Sequence, residues 1–224
     1  MTLVGFDTST AATSACVLRD DGEAFEHVPR PERLREPPGH SRELLPAVAE
    51  QMETAGVTWA DVDGVAVGIG PGTFTGLRIA VATARALATA AGVPVHPVSS
   101  LAALAAGAGA EQELVLPLID AKRGELFGAL FAGGRELVEP FVARPEALWE
   151  RAGRDLASAV SVGDGSVRFR DILEAAGTRV PPDGSELHVV RALHICRLGA
   201  RVPPERPEAV LPTYIRDPDA EPSQ

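Results

Sequence analysis

A glycine-rich segment between an apolar strand and a long helix contains the residues with the clearest capacity for chemistry. This glycine-proline turn consists of Gly70, Pro71, Gly72, Thr73 and Gly76. Glycines allow a tight turn and close approach of another group. Thr73 stands at the expected helix N-cap, beyond which free N–H groups can hold an anion. The turn therefore predicts either a phosphate- or partner-binding loop or an ordinary strand-to-helix connection. It does not match a P-loop, because no lysine follows Gly76. The six-residue glycine spacing of dinucleotide-binding turns is not matched cleanly either.

A carboxylate at the end of the first strand is the best candidate for a functional acid. Asp7 precedes a turn of small hydroxyl residues, which includes Thr8, Ser9 and Thr10. Aspartate and hydroxyl side chains commonly bond to the backbone of their own loop. The pattern leaves two interpretations open. Asp7 is either a functional acid beside a polar turn, or one of several polar side chains that bond to the backbone of their own loop.

A second carboxylate, Asp120, lies at the corresponding place in the second half of the chain. The residues that follow it are Ala121-Lys122-Arg123-Gly124, which are bulky and charged. A hairpin that cradles a phosphate needs consecutive glycines whose N–H groups point at the ligand. The sequence therefore predicts that the second half has no phosphate loop.

The histidines and serines do not form a recognisable catalytic or metal-binding pattern. His188 and His194 are six residues apart and face different sides of a helix, while His40 and His96 each stand alone. No Gly-x-Ser-x-Gly elbow is present, since Phe74 occupies its central position. The sequence predicts neither a metal centre nor a nucleophilic hydrolase.

The composition is that of a globular protein that does not bind RNA tightly by itself. The 224 residues are 45% hydrophobic and 23% charged, with a formal net charge of −10. Tight RNA binding needs a basic face, but the arginines are mixed with carboxylates and Lys122 is the single lysine. No signal peptide or membrane span is expected. Cys16 and Cys196 are expected to be buried free thiols in a cytoplasmic protein.

The elements that must position these residues alternate between strands and helices. Apolar runs predict strands in the first half over Thr2–Phe6, Ser14–Arg19, Ala24–Val28, Val65–Ile69 and Val93–Val98. Helical spacing predicts helices over Ser41–Ala55 and Phe74–Ala91, and Ser99-Ser100 is expected to cap a short third helix. The charged segment Pro29–Gly39 is expected to be an exposed, mobile loop.

The second half begins again with adjoining strands. Two strands are expected over Leu114–Asp120 and Glu125–Phe131, followed by a short strand that ends in a turn within Val160–Gly165. Helices are expected near Phe169–Ala176 and Leu187–Leu198, and the tail is rich in proline. Periodicity alone indicates an α/β protein with two lobes.

Four motifs occur in a fixed order along the chain. They are Phe6–Thr10 (FDTST), His40–Pro46 (HSRELLP), Gly70–Ile79 (GPGTFTGLRI) and Ile119–Glu125 (IDAKRGE). Pro212–Arg216 (PTYIR) adds a weaker match near the end. Together these motifs resemble the bacterial tRNA threonylcarbamoyladenosine biosynthesis family TsaB, also called YeaZ, over almost the whole sequence.

The resemblance implies an actin-like ATPase (ASKHA, ribonuclease H-like) α/β fold with two lobes of similar topology. The boundary is expected near residues 100–111, which gives an N-terminal lobe of residues 1–105 and a C-terminal lobe of 106–224. In catalytic members of this fold the acid at the position of Asp7 helps to hold a metal-bound nucleotide. The resemblance therefore marks a degenerate nucleotide site at Asp7, Thr8, Ser9, Thr10 and Asp120. The alternative is an actin-like ATPase or kinase that uses Asp7 and Asp120.

The resemblance further implies a non-catalytic subunit. It would assist the related enzyme TsaD, which transfers threonylcarbamoyl from threonylcarbamoyl-AMP to a tRNA adenosine next to the anticodon. An ATPase, TsaE, would be the third partner, and a homodimer is the alternative assembly. ATP or ADP and metal are expected on the partner subunits, and tRNA is expected to be bound only through the complex. The residues implied in the interface are Leu44, Leu45, Val48, Met52, Phe74, Leu77, Arg78 and Val81.

Overall fold

A mixed five-stranded sheet occupies the N-terminal part of the computed structural model, which describes residues 1–109, 114–152 and 156–215. Its strands are β1 (Leu3–Asp7), β2 (Ser14–Leu18), β3 (Ala24–His27), β4 (Gly64–Gly70) and β5 (Val95–Ser99). They lie in the order β3-β2-β1-β4-β5. β1 pairs antiparallel with β2, placing Leu3 opposite Leu18, and parallel with β4, placing Leu3 opposite Gly64. The central strand thus ends at Asp7, beside the end of β4.

A four-stranded sheet repeats much of this arrangement later in the chain. Its strands are β6 (Val115–Lys122), β7 (Glu125–Ala132), β8 (Arg135–Ala143) and β9 (Val160–Val162), in the order β8-β7-β6-β9. β6, β7 and β8 form antiparallel hairpins, whereas β9 pairs parallel with β6. The order β3-β2-β1-β4 in the first sheet therefore corresponds to β8-β7-β6-β9 in the second.

Helices lie on both sides of the two sheets. They are α1 (His40–Ala55), α2 (Phe74–Ala91), α3 (Ser100–Gly107), α4 (Leu148–Ala152), α5 (Asp164–Arg168), α6 (Arg170–Ala175) and α7 (Ala192–Gly199). Short 3-10 helices occur at Pro31–Arg35, Trp59–Asp61, Pro145–Ala147, Glu186–His188 and Pro207–Ala209. In the part of the chain that the structure describes, no helix has the length and apolarity needed to cross a bilayer.

Three hydrophobic clusters hold the layers together. On the outer side of the first sheet, Val4 and Val65 pack with Leu44 and Val48 of α1 and with residues of α2. Between the sheets, residues of α3 and α7 pack with both sheets in a shared cluster. On the far side of the second sheet, its leucines pack with α4 and α6. Apolar burial is the main favourable contribution to folding, so the shared cluster joins the two sheets.

Helix α7 lies unusually close to the first sheet, although it comes from the C-terminal part of the chain. A Cβ atom on Gly5 would lie 2.4 Å from Cys196 Sγ, and one on Gly199 would lie 2.9 Å from the Cβ of Ala66. Glycine at these points allows the close packing. Cys16 and Cys196 are both buried and free, which confirms the sequence prediction.

The structure also corrects several expectations. The strand β8 was not predicted. Segment Pro29–Gly39 contains the 3-10 helix Pro31–Arg35, so it is not wholly irregular. That helix forms ion pairs from Arg33 to Glu43 of α1 and from Arg35 to Asp183. The helix expected over Leu187–Leu198 is divided into Glu186–His188 and α7 by an extended segment. The division into lobes of residues 1–105 and 106–224 stays a proposal, and its boundary region includes residues 110–113, which lie outside the described residues.

Candidate functional site

The glycine-proline turn packs directly on the hydroxyl turn that follows Asp7. β4 ends at Gly70, the Gly70–Pro71 peptide is cis, and α2 begins after Thr73. The Thr73 N–H donates to the carbonyl oxygen of Ser9 at 2.7 Å. A Cβ atom on Gly72 would lie 2.4 Å from the same oxygen. The N–H of the N-cap residue is therefore paired within the chain, and anion binding by the N–H groups beyond it stays a prediction.

Close contact between the two turns continues into the first turn of α2. Thr8 Oγ1 donates to the carbonyl oxygen of Gly76 at 2.8 Å. A Cβ atom on Gly76 would lie 1.9 Å from the carbonyl oxygen of Thr8. Thr73 occupies the N-cap position as predicted, but its side chain makes no capping hydrogen bond, which corrects that part of the expectation. The glycines at 72 and 76 are thus explained by contact between two loops.

The carboxylate of Asp7 is enclosed, with only 1% of the residue exposed. Asp7 Oδ1 accepts hydrogen bonds from Ser9 N at 2.7 Å and Ser9 Oγ at 2.6 Å, and Oδ2 accepts one from Ser100 Oγ at 2.7 Å. A Cβ atom on Gly68 would lie 1.8 Å from Oδ2. Burial raises the pKa of Asp7, and the bonds from Ser9 and Ser100 offset this only in part. Both carboxylate oxygens are used inside the protein, so this site does not fit a metal-bound phosphate.

The remaining hydroxyl groups connect this turn to α1. Thr10 Oγ1 accepts a weak hydrogen bond from Ala12 N at 3.4 Å. Thr13 Oγ1 lies 2.8 Å from His40 Nδ1 and donates to Glu43 Oε2 at 3.1 Å. Burial lowers the pKa of His40. The hydroxyl turn thus bonds to its own backbone and to the start of α1.

Asp120 is held by cations, in contrast to Asp7. Its Oδ2 accepts from Lys122 Nζ at 2.8 Å and from Arg168 Nη1 at 2.7 Å, and its Oδ1 accepts from Lys122 N at 2.9 Å. Lys122 and Arg123 have φ angles of 63° and 55°, in the left-handed region. Burial raises the pKa of Asp120, but the bonds from Lys122 and Arg168 outweigh burial, and the net shift is downward.

Asp164, at the start of α5, was not identified as a site residue from the sequence. Its Oδ1 accepts a hydrogen bond from Asp120 N at 3.1 Å. Burial raises the pKa of Asp164 to about 6. Asp7 and Asp120 are each enclosed by their own donors, and within the described residues no group of three His, Cys, Asp or Glu side chains is arranged to hold a metal ion.

The structure places only part of the predicted partner surface on the outside of the protein. Five of the eight residues are buried in the chain's own interior, and they are Leu44, Val48, Met52, Leu77 and Val81. Leu45, Phe74 and Arg78 remain exposed. The interface of all eight stays a prediction, but these five are not accessible on the surface of the chain, because helical apolar periodicity marks the face that packs on the sheet.

An aromatic and cationic cluster covers the start of α2. The rings of Phe74 and Tyr214 are 5.6 Å apart between centroids, and the Arg78 guanidinium lies 3.7 Å from the Phe74 centroid. Arg78 Nε also donates to the Tyr214 hydroxyl at 3.3 Å. Tyr214 was not predicted as a site residue, although it lies within the sequence motif at 212–216. Arg216 of that motif lies outside the described residues.

Comparison with known proteins adds a family context to this geometry. Residues 36–148 match the family model described as "TsaD: tRNA N6-adenosine threonylcarbamoyltransferase". The chain is 32% identical to the Escherichia coli tRNA threonylcarbamoyladenosine biosynthesis protein TsaB, covering 79% of this chain and 77% of that protein.

Solved structures agree with this similarity. YeaZ from Pseudomonas aeruginosa superposes with a TM-score of 0.77 at 32% identity, covering 95% of this chain and 99% of the other. The ROK hexokinase from Thermus thermophilus superposes with a TM-score of 0.51 at 17% identity, covering 90% and 99%. The latter supports the two-lobed, actin-like α/β fold alone.

Proposed function

The chain belongs to the TsaB (YeaZ) family, and on that premise we propose that it is a non-catalytic accessory subunit in the synthesis of tRNA threonylcarbamoyladenosine. In this role it binds and activates a TsaD-type enzyme, which transfers threonylcarbamoyl from threonylcarbamoyl-AMP to tRNA. A TsaE-type ATPase is the third component. ATP or ADP, the metal and the reacting groups are held by the partners.

The non-catalytic assignment rests on one observation, that the carboxylate of Asp7 is enclosed by hydrogen bonds from the chain's own residues. Ser9 and Ser100 occupy both oxygens of Asp7, and the glycine-proline turn is packed against the hydroxyl turn. A catalytic acid must reach the reacting group. Asp7 would need three hydrogen bonds broken to do so, and this favours the accessory role over an actin-like ATPase or kinase.

The surface of α1 and α2 supports binding to a TsaD-type partner. Leu45 and Phe74 are 55% and 48% exposed, which is unusual for large apolar side chains on neighbouring helices. Both helices lie within residues 36–148, the segment that matches the TsaD family model. A TsaD-type protein therefore carries a related helix pair, and two related faces can pack as a near-symmetric pair. The same face could pair two copies of this chain, which makes a homodimer the competing assembly.

The net charge of the chain fits indirect contact with tRNA. A charge of −10 opposes binding to a phosphate backbone. Contact with tRNA is therefore assigned to the complex rather than to this chain alone.

The proposal is tested by light scattering coupled to size-exclusion chromatography, on this chain alone and mixed with the TsaD-type protein of its own organism. The native chain should form a heterodimer, and Leu45→Glu should abolish it. The control is Ala175→Glu, which places the same charge on an exposed residue of α6 and should leave the heterodimer intact. Leu77 is unsuitable for this purpose because it is fully buried.

A second assay addresses the enzymatic alternative. The isolated chain is expected to show no ATP turnover above background and no modification of tRNA. ATP turnover that disappears in Asp7→Asn would overturn the accessory assignment. Failure of the native chain to bind the TsaD-type protein would equally contradict it.

A further inference from the structure

The C-terminal segment Leu211–Ile215 crosses the start of α2 and is fixed there by the backbone. Thr213 N donates to the carbonyl oxygen of Ile69 at 2.8 Å, next to the glycine-proline turn. Val210, just before the segment, is 1% exposed and belongs to the hydrophobic cluster of the first sheet. The segment is therefore part of the folded surface on this side of the molecule.

The side chains of this segment enlarge the apolar surface of α2. Leu211 is 66% exposed and Tyr214 is 41% exposed. Tyr214 contacts Phe74 and Arg78, as described above. Aromatic residues and arginine are the types most often found as interface hot spots. Residues from two distant parts of the sequence thus form one exposed cluster.

A shallow groove of about 430 Å³ lies beside this cluster, between α2 and the C-terminal segment. It is lined by Arg78, Val81, Ala82, Arg85 and Pro212. Arg78 uses its Nε on Tyr214, and its two Nη groups have no hydrogen-bond partner among the described residues. A planar guanidinium with free Nη groups is suited to binding a carboxylate.

Among the described residues, the lining of this groove contains two cations and no carboxylate. Between Asp63 and Glu111 the sequence contains no aspartate or glutamate, and its arginines are Arg78 and Arg85. The segment 209–215 also has no carboxylate side chain. A chain with a net charge of −10 therefore presents an apolar face with two cations. Such a face is complementary to an apolar segment that carries carboxylates.

We propose that segment Leu211–Tyr214 is part of the docking surface for the TsaD-type partner, and that the groove takes an acidic, apolar segment of that partner. Carboxylates of the partner pair with Arg78 and Arg85, and an apolar side chain packs against Ala82 and Pro212. Phe74 and Tyr214 are the aromatic anchors of the contact. This inference rests on the proposed function and assigns the C-terminal segment a direct part in it.

The test measures the dissociation constant for the TsaD-type protein by isothermal titration calorimetry. Tyr214→Ala should weaken binding at least about tenfold, the size typical of a hot spot. Tyr214→Phe, which keeps the ring, should retain most of the affinity. Arg85→Glu should weaken binding and reduce its salt dependence, because it removes an attractive charge pair.

The matched control is Arg206→Glu, which reverses the charge of an exposed arginine outside the groove. It should bind like the native chain. Circular dichroism and thermal melting of each variant establish that it is folded, and Tyr214→Phe provides a conservative comparison if Tyr214→Ala is unstable.

The outcomes separate this inference from the proposed function. If Leu45→Glu prevents the heterodimer while Tyr214→Ala and Arg85→Glu bind normally, the inference is wrong and the accessory function stands. If the native chain does not bind the TsaD-type protein, both fail. If the variants weaken only self-association, the groove belongs to a second copy of this chain, which overturns the assigned occupant.

Discussion

The turn after β1 and the turn of the β6–β7 hairpin occupy equivalent places in the two sheets. The carboxylates beside them, Asp7 and Asp120, accept hydrogen bonds from different kinds of donor. Asp7 is enclosed by neutral donors, the amide and hydroxyl of Ser9 and the hydroxyl of Ser100. Asp120 is bound by two cations, Lys122 and Arg168. The pKa of Asp7 is accordingly raised by burial, whereas the pKa of Asp120 is lowered overall.

The difference shows that a shared topology does not preserve a shared site. An actin-like lobe can keep its strand order while its polar turn is converted into structural support. In the first lobe the support is a direct, buried contact between two loops. In the second it is a partly exposed ion network, with Lys122 63% and Arg168 49% exposed in their side chains. The loop contact around Asp7 should therefore contribute more to the free energy of unfolding than the ion network around Asp120.

The largest effect is expected from a methyl group added between the hydroxyl turn that follows Asp7 and the glycine-proline turn. Gly76→Ala should lower the free energy of unfolding by at least about 3 kcal/mol, because the new Cβ meets the backbone oxygen of Thr8 at 1.9 Å. Urea denaturation measures the change. Gly184→Ala is the control, since nothing lies within 4 Å of its Cβ. Equal stability of the two variants would show that the loops are not in close contact.

Removing the enclosed carboxylate should have the next largest effect. Asp7→Ala leaves the Ser9 amide and the Ser9 and Ser100 hydroxyls without their acceptors, and it should lower the free energy of unfolding by about 2–3 kcal/mol. Asp120→Ala leaves the Lys122 amide and the partly exposed side chains of Lys122 and Arg168 without their acceptor, and it should lower the free energy of unfolding by about 1 kcal/mol. Urea denaturation of both variants provides the comparison. A larger loss for Asp120→Ala would reverse the ranking of the two regions.

The two carboxylates should also give pH dependences of opposite sign. Because burial raises the pKa of Asp7 above 3.8, the folded state binds its proton more tightly, and native stability falls as pH rises above that value. The pKa of Asp120 lies below 3.8 because its bonds to Lys122 and Arg168 outweigh burial, so its contribution is present above that pH and disappears on acidification.

Asn variants and urea midpoints, measured from acidic to neutral pH, check these signs. Relative to the native chain, Asp7→Asn should become more stable as pH rises, whereas the deficit of Asp120→Asn should grow. Asp164, whose pKa is raised to about 6 by burial, titrates in the native chain and in both variants, so the comparison is made relative to the native chain. The same slope in both variants would contradict the electrostatic contrast.

The smallest effect is expected when one of the two cations that bind Asp120 is removed. Lys122→Met removes one exposed ion pair while Arg168 keeps its bond to Asp120. The expected loss is below about 1 kcal/mol, and it should shrink further at high salt. A loss as large as that of Asp7→Ala would mean that Lys122 has a greater structural role than its exposure indicates.

The sequence predicted the strands near Asp7 and Asp120 and the turn before α2 because these segments follow local rules. It missed β8, whose alternation is interrupted by Pro140. Proline is tolerated there because β8 is an edge strand of the second sheet. An edge position depends on the arrangement of the whole sheet, which the local sequence does not specify.

The exposure of the residues predicted for the partner surface was predicted less well, and the reason lies in helical periodicity. Leu44, Val48 and Met52 recur at helical spacing because they pack on the sheet of their own chain. Leu45 is out of phase with that stripe, and this was the available signal for an exposed apolar residue. The contact between Arg78 and Tyr214 joins residues that are 136 positions apart. No local pattern could have placed them together.

The position of α7 has a consequence for the order in which the chain can fold during synthesis. One face of the first sheet is covered by α7, and the edge strand β5 is paired through Val95 and Glu205. Residues 3–99, which form the strands of that sheet, leave the ribosome well before residues 192–205. The first lobe therefore completes its core only after residues 192–205 have emerged, and until then a hydrophobic face and an open strand edge are available to chaperones.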